Sequence, residues 1–405
     1  MVFACDLHIH IGRSARGEPV KITAARSLTF HNIAIESARR KGLGVVGIVD
    51  CASPAVLRDI EELLDAGEMK PLDGGGLDYR GQVTVITGAE FETREPGGGL
   101  SHHVSYFSDL EALKGFARQM GRRVTNLQLS SQQCGLAARE LYRICRDHGG
   151  LFIPAHCFTP HKSLYGACAV RGSEVFGDDW EEIPAIELGL SADSYLADRI
   201  GELADKTFVS NSDSHSLPKI AREYQLIEMQ APTFSELRLA LLRQEGRRVV
   251  ANYGLDPRLG KYHRTCCEEC GWVARGPAPV MTCEQCGSEK VVMGVLDRIV
   301  AIADYEDPQP PAWRPPYRYQ VPLQFVPGVG AVALNRLINA FGSEMAVLHQ
   351  ATEQEIAAVV PARIARRIVL AREGKLPLVA GGGGRYGRAV ADEGQAAQLG
   401  LPGLE

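Results

Sequence analysis

The 405-residue chain has no apolar stretch approaching 18 residues and no charged run leading its N-terminus. The first absence argues against a membrane-spanning helix and the second against a secretory signal. The expectation is a soluble, cytoplasmic protein with no membrane partner. A disulfide framework is missing too. Of the 11 cysteines, Cys5, Cys51, Cys134, Cys145, Cys157 and Cys168 are scattered singly, which suits a reducing compartment. Nor does the net charge of −5 announce a polyanionic partner. The charge is unevenly spread, however. Between residues 310 and 390 ten Arg or Lys face four Glu, leaving the remainder at −11, 34 basic against 45 acidic. An acidic catalytic part with a basic C-terminal part fits an enzyme that holds a polyanion by its tail. The length, with 45% hydrophobic residues, predicts two or three domains and a full core.

What is present centres on Cys5-Asp6-Leu7-His8-Ile9-His10. On a strand, His8 and His10 point the same way, and two imidazoles on one face make half of a metal site. The pattern repeats, because further acids and histidines follow short β-rich runs. Asp50 follows 44–49, Glu90 follows 83–89, His156 follows 151–155, and Asp213 and His215 follow 207–210; His102 and His103 open the run 104–107. Helix-like segments lie between them, at 31–41, 110–120, 136–148, 192–205 and 234–244. Alternating strand and helix predicts parallel strands with helices outside, and in a closed barrel the strand C-termini converge on one mouth. A metal site at that mouth explains the series. Glu92 lies two residues from Glu90 on the same face. Alternation turns only one of His102 and His103 to the mouth, and both stay candidates. The polar loop 156–166 suits substrate contact, with Lys162 a candidate for phosphate and Tyr165 for stacking on a base. Ser191 or Asp193 is read first as a helix cap, with a role at the mouth second, and Arg222 as a surface salt-bridge partner ahead of a contact to substrate phosphate. The Gln- and Ser-bearing loop 121–134 carries no assigned role.

Cys267-x2-Cys270 and Cys283-x2-Cys286, separated by 12 residues and each pair followed by glycine, have the spacing of a closed tetrahedral zinc site of the structural kind. Cys266 is an extra adjacent thiol. A Pro-rich linker at 307–322 is expected to be extended and stiff, with Trp313, Tyr317 and Tyr319 packing on a neighbour. Next, Pro327-Gly328-Val329-Gly330 precedes a helical pattern. Such a hairpin leaves backbone N–H groups at a helix N-terminus for phosphate. A second copy at 359–374 lacks the glycines and adds Arg363 and Arg366 among its basic residues. Paired hairpins with a basic second helix point to backbone binding of DNA by Lys162, Gly328, Val329, Gly330, Arg363 and Arg366. Glycine-rich residues from 379 to 405 are expected to be disordered.

His8-x-His10, Asp50, Glu90, His102 or His103, His156 and Asp213-x-His215 resemble the metal motifs of the polymerase-and-histidinol-phosphatase (PHP) domain. The second motif of that family reads Asp-His, where this chain has Asp50-Cys51. The order of barrel, four-cysteine module and paired helix-hairpin-helix resembles the endonuclease Q family, supported by the strings 6–12, 154–160 and 211–215. The resemblance covers residues 1 to about 376. It implies an α/β fold: a PHP-type distorted (β/α)7 barrel (1–255), a small four-cysteine zinc-binding module (256–306), the linker (307–322), an all-α helix-hairpin-helix domain (323–378) and the tail. It further implies a DNA repair endonuclease that cuts on the 5′ side of deaminated bases (hypoxanthine, uracil, xanthine) and abasic sites. Two or three divalent ions (Zn, Mn or Mg) would sit in the barrel, beside a structural zinc. Asp213 is the candidate for a ligand that also handles a proton. A replication or repair partner such as a sliding clamp is compatible with that role. The competing readings are a PHP-type small-molecule phosphatase and a non-catalytic DNA-binding protein.

Overall fold

A computed structural model describes residues 1–391; residues 392–405, the end of the expected disordered tail, lie outside the described residues. The first strand, Val2–Ile9, is central and buried from Cys5 onward. It pairs in parallel with Val45–Ile48, which pairs in parallel with Val83–Arg94, and on its other edge it pairs antiparallel with Tyr224–Glu228. The all-parallel expectation fails at the Glu90 strand. Val83–Arg94 and Leu100–Phe107 are antiparallel, as are Leu100–Phe107 and Leu151–Pro154. Only residues 95–99 join the first of these pairs, closed by Glu95 N donating to Gly99 O at 2.9 Å, and so short a turn cannot carry a crossover helix. Ala185–Glu187 and Thr207–Val209 form a further parallel pair. The barrel closes where His10 N donates to Ser214 O and Ser214 N to His8 O, both at 3.1 Å. The result is the distorted α/β barrel.

Helices Leu110–Met120, Ala138–Asp147 and Phe234–Leu242 cover the outside near their expected places. The expected helix at 192–205 is broken into Ser194–Ala197 and a 3-10 turn at Gly201–Leu203. Between them the carbonyl of Arg199 is taken by the amides of Asp304 and Tyr305, which dock the end of the cysteine module there.

The linker is a strap bound to the barrel. Tyr317–Tyr319 adds in parallel to Arg248–Gly254. The Arg314 side chain is almost fully buried and pairs with Asp198 at 2.8 Å, while the guanidinium groups of Arg243 and Arg314 both lie over the Trp313 ring, 3.9 and 4.7 Å from its centre. Helices Ala331–Phe341, Glu344–His349, Glu353–Ala357 and Ala362–Arg372 follow. They dock on the barrel through the buried pair of Lys41 and Glu344 at 2.9 Å. The tail departs from expectation over its first residues. Leu378–Val379 pairs with Arg388–Ala389, and the glycine-rich stretch between is tied down by Gly381 N donating to Arg258 O at 2.7 Å and Gly387 N to Leu259 O at 2.9 Å. Those bonds to the connector at 258–261 supply what the segment's own side chains cannot.

Candidate metal centre

His8 and His10 leave the first strand on one face, both buried. Each ring is oriented from behind. His8 Nδ1 donates to Glu187 Oε2 at 2.8 Å, and His10 Nδ1 donates to Asp50 Oδ2 at 3.1 Å. A ring donating from Nδ1 presents the lone pair of Nε2 forward, the arrangement found behind metal-binding imidazoles. The two Nε2 atoms stand 3.3 Å apart, and Asp213 Oδ1 faces them at 3.8 and 3.4 Å. Beside this triad is a second one. Glu90 Oε1 lies 3.2 Å from His102 Nδ1 and 3.8 Å from His156 Nε2. In each triad the ligand atoms lie within 4.8 Å of one another. Glu90 links the two, with Oε1 at 3.4 Å from His8 Nε2 and Oε2 at 3.7 Å from His10 Nε2. Its Oε1 is buried yet accepts no hydrogen bond. A buried acceptor ringed by imidazole nitrogens and left without a hydrogen is what cations at the two triads would satisfy, so the residues fit metal ions.

The backbone under the centre is strained: Asp213 has φ 44° and His156 φ 31°. Non-glycine residues persist there only where the surroundings impose it. Asp6 is the main restraint on the Asp213 loop. Its carboxylate, fully buried, accepts from Ser212 N at 3.0 Å and Ala221 N at 2.8 Å. Arg222 adds to this, with Nε donating to Ser212 O at 2.7 Å, so it is a buried clamp on the loop and not the expected surface partner. At His156 the neighbour is Gly189, φ 80°, where a Cβ would stand 2.9 Å from that of His156. Burial by itself would raise the pKa of Glu90, but His102, Lys21 and His10 more than offset it and hold the carboxyl well below its ordinary value. Burial is likewise overcome at Asp213 by His10, His8 and His215, again leaving the carboxyl well below.

Several candidate residues take other places. Both Asp50 oxygens serve as second-layer acceptors, from His10 and from Ile11 N at 2.6 Å. Cys51 turns into the core and donates to Ile48 O at 3.2 Å, away from the triads. His103 is stacked on Phe152 and bonded to Ser101 at 2.8 Å, and burial pushes its pKa down to about 3. His102 is therefore the mouth-facing member of the pair. His215 packs ring to ring against His10 at 4.6 Å and lies 3.6 Å from Asp213, at the edge of the first triad. Lys162 reaches the rim but pairs with Glu92 at 2.8 Å, and His102 and Lys162 hold Glu92 down to about 2. Tyr165 is fully buried against Glu202 at 2.7 Å and has no face left for a base. Glu187, Lys21 and the pair Ser130 and Ser131 were not assigned to the site by the sequence. Glu187 ends the short strand Ala185–Glu187, a place like that of the other acids at β-rich runs in the sequence, and that was the available signal.

In the cysteine module, Cys267 and Cys286 Sγ lie 3.7 Å apart and Cys270 and Cys283 Sγ 3.5 Å apart. A tetrahedron with arms of about 2.3 Å has edges of about 3.8 Å, so the four thiols fit one tetrahedral ion. Cys266 stands outside that group. Arg298 fastens the module to the mouth loop, donating to Tyr165 O at 2.7 Å and Ala169 O at 2.9 Å. In the helical domain, Gly328 (φ 96°) backs onto Ile364, and Arg367 donates to Pro327 O at 3.2 Å. Gly330 and Arg363 are exposed, and Arg366 pairs loosely with Glu353 at 3.4 Å. Val329 is buried and its N–H is spent on Val326 O at 2.9 Å, so it offers no donor to phosphate.

No protein-family model matches the chain. It is 46% identical over 386 residues to the uncharacterized protein YqxK of Bacillus subtilis, covering 95% of this chain and 98% of that one. It superposes on the lesion-specific endonuclease PfuEndoQ from Pyrococcus furiosus with a TM-score of 0.81 at 34% identity, over 96% of this chain and 95% of that one. The chain belongs to the endonuclease Q family. An Endonuclease Q complex with a 27-mer duplex carrying an abasic lesion at the active site matches equally, with a TM-score of 0.81 and 33% identity over 97% of this chain and 98% of that one. In this endonuclease Q family chain, a cavity of about 230 Å3 opens beside His156 and Asp213. Lys261 and Tyr262 of the connector, His161 of the mouth loop, Ser191, and Tyr386 of the tail hairpin are among the residues of its wall.

Proposed function

We propose that this chain is a metal-dependent DNA repair endonuclease that cuts on the 5′ side of a deaminated base (hypoxanthine, uracil or xanthine) or an abasic site. The observation that carries the reading is the cavity whose wall includes two residues of the triads. A nucleotide lodged there, with rings of Tyr262 and Tyr386 beside it and Lys261 over both tyrosines, would bring its own backbone phosphate to the carboxylates and imidazoles. That is the geometry an enzyme needs when it extrudes a damaged nucleotide, and extrusion costs least where pairing is already weak. His8, His10 and Asp213 would hold one ion, Glu90, His102 and His156 another, and Cys267, Cys270, Cys283 and Cys286 a structural zinc. Bound divalent ions supply Lewis-acid charge that activates water and neutralises phosphate. Around them the chain orients: Glu187 and Asp50 fix the imidazole tautomers, Asp6 and Arg222 hold the Asp213 loop, and Asp213, 30% exposed at its side chain, faces the mouth. The duplex on either side would rest on the hairpin at 327–330 and on Arg363.

The test is incubation of the full chain and a labelled duplex bearing one deoxyinosine with Mn2+ or Mg2+, beside Asp213→Ala. Cleavage 5′ to the lesion, lost in the variant, is the expected result. An intact duplex together with hydrolysis of a simple phosphate monoester would overturn the proposal in favour of a phosphatase.

A further inference from the structure

One cation stands inside the centre without helping to hold metal. Lys21 follows the first strand on a loop that cannot drift. Its N–H donates to Ile11 O at 2.8 Å, Ala24 N donates to its carbonyl at 3.0 Å, and Ala25 N donates to His215 O at 2.8 Å. The side chain is 15% exposed, and Nζ lies 3.4 Å from Glu90 Oε2. It also donates to Ser131 Oγ. Ser131, at φ 52°, donates in turn to Glu90 Oε2, and Ser130 beside it donates to Asp50. The loop and the serine pair are joined by Ser130 N donating to Val20 O at 3.0 Å.

An ammonium carries three N–H bonds. Two are spent on Ser131 and Glu90, and the third has no protein partner among the described residues. Lys41, the other lysine buried against a carboxylate, spends its head on Glu344 and on Pro218 O. A fixed positive charge beside the two triads repels any divalent ion held there, and the repulsion is strong in a partly desolvated site. Such a charge weakens metal binding, so its place needs another reason. The species that tolerates an ammonium beside two metal sites, and gains from all three, is an anion shared among them. We infer that Lys21 is a substrate ligand, donating its third N–H to a non-bridging oxygen of the phosphate at the triads. The inference rests on the phosphodiesterase reading and extends it to a residue the metal motifs do not include.

The experiment uses the full chain, Lys21→Met and Lys21→Arg, with inorganic phosphate as the probe. Metal-stripped protein is titrated with Mn2+, and the Mn2+-loaded protein is then titrated with phosphate. Losing a charge-assisted contact should weaken phosphate binding by about tenfold or more in Lys21→Met, while Mn2+ binds at least as tightly as in the wild type. Lys21→Arg should keep most of the phosphate affinity. Unchanged phosphate affinity in Lys21→Met would overturn the inference. So would a parallel fall in Mn2+ affinity, which would make Lys21 a prop for Glu90. Lys21→Gln carries the same test should Lys21→Met not melt like the wild type. Inorganic phosphate requires no lesion and no DNA, so this result and that of the deoxyinosine duplex fail separately.

Discussion

Replacing Glu187 by glutamine tests whether the centre is built from behind as well as from the front. Glu187 contacts none of the other triad residues; it accepts from His8 Nδ1 at 2.8 Å and from Asn211 Nδ2 at 3.2 Å, and it is 1% exposed. Glutamine keeps the shape and leaves one acceptor for those two donors. It loses the carboxylate, and a hydrogen bond to an ionised acceptor is roughly twice as strong as a neutral one. Its NH2 would fall where Glu187 Oε1 now lies buried without a partner, and an unpaired buried donor costs about 1–3 kcal/mol. If the amide turns to avoid that cost, its NH2 meets His8 Nδ1 and drives the proton to Nε2, where the ligand lone pair is needed. Either way His8 becomes a poorer ligand. Partners of this kind are worth about 10–100-fold in metal affinity, or about 1.4–2.7 kcal/mol. The assay is a Mn2+ or Zn2+ titration of chelator-stripped protein, with the melting temperature of the stripped protein as control and the four-cysteine site as internal reference. Barrel affinity within about twofold of the wild type, in a protein that melts normally, would refute the argument that His8 is oriented by Glu187.

Two more predictions address stability and the DNA surface. Glu223 is buried with Leu255 N donating to Oε1 at 2.9 Å and nothing bonded to Oε2; burial raises its pKa from 4.5 to about 8. The folded chain thus keeps a proton that the unfolded chain gives up, so this group's contribution to stability declines as pH rises from about 4.5 to about 8 and is level above that. Glu223→Gln should raise the melting temperature over the wild type more at pH 8.5 than at pH 5, and an equal increment at both would contradict the assignment. Arg363 is exposed at the start of the second basic helix. If it neutralises one phosphate, Arg363→Ala should weaken duplex binding alike for all sequences and lower the slope of log affinity against log salt by about 0.9, measured by anisotropy across salt concentrations. A slope unchanged from the wild type would remove Arg363 from the interface.

Much of the centre was legible because its information is local. His8-x-His10 is read from the period of a strand, Asp213-x-His215 from its place just after a short β-rich run, and the Cys267 to Cys286 pattern from the reach of two turns around one ion. The choice between His102 and His103 was not local. It is made by the pairing of Leu100–Phe107 with Val83–Arg94, which sets His103 across from Phe91 and His102 across from Glu92. Cross-strand partners share a face, so His103 goes with Phe91 into the core and His102 with the acids to the mouth. Val329 is not free to meet phosphate, because its N–H closes the turn on Val326 O, and the pattern of the hairpin does not show which of its amides the turn consumes.

Composition and spacing by themselves pointed to a mixed α/β fold, to the group of four cysteines and to the residues that fill the two triads, since each depends on residues within a few positions of one another. Tertiary structure alone decided which strands run antiparallel, that Asp50 stands behind His10 and not in front, and that the glycine-rich tail lines a cavity. It also brought Glu187 to His8 across 179 residues and Lys21 to Glu90 and Ser131 across 69 and 110. The reason is physical: a ligand's type follows from its own chemistry, whereas the partner that orients it is selected by closure of the barrel, which joins parts of the chain that no local pattern relates.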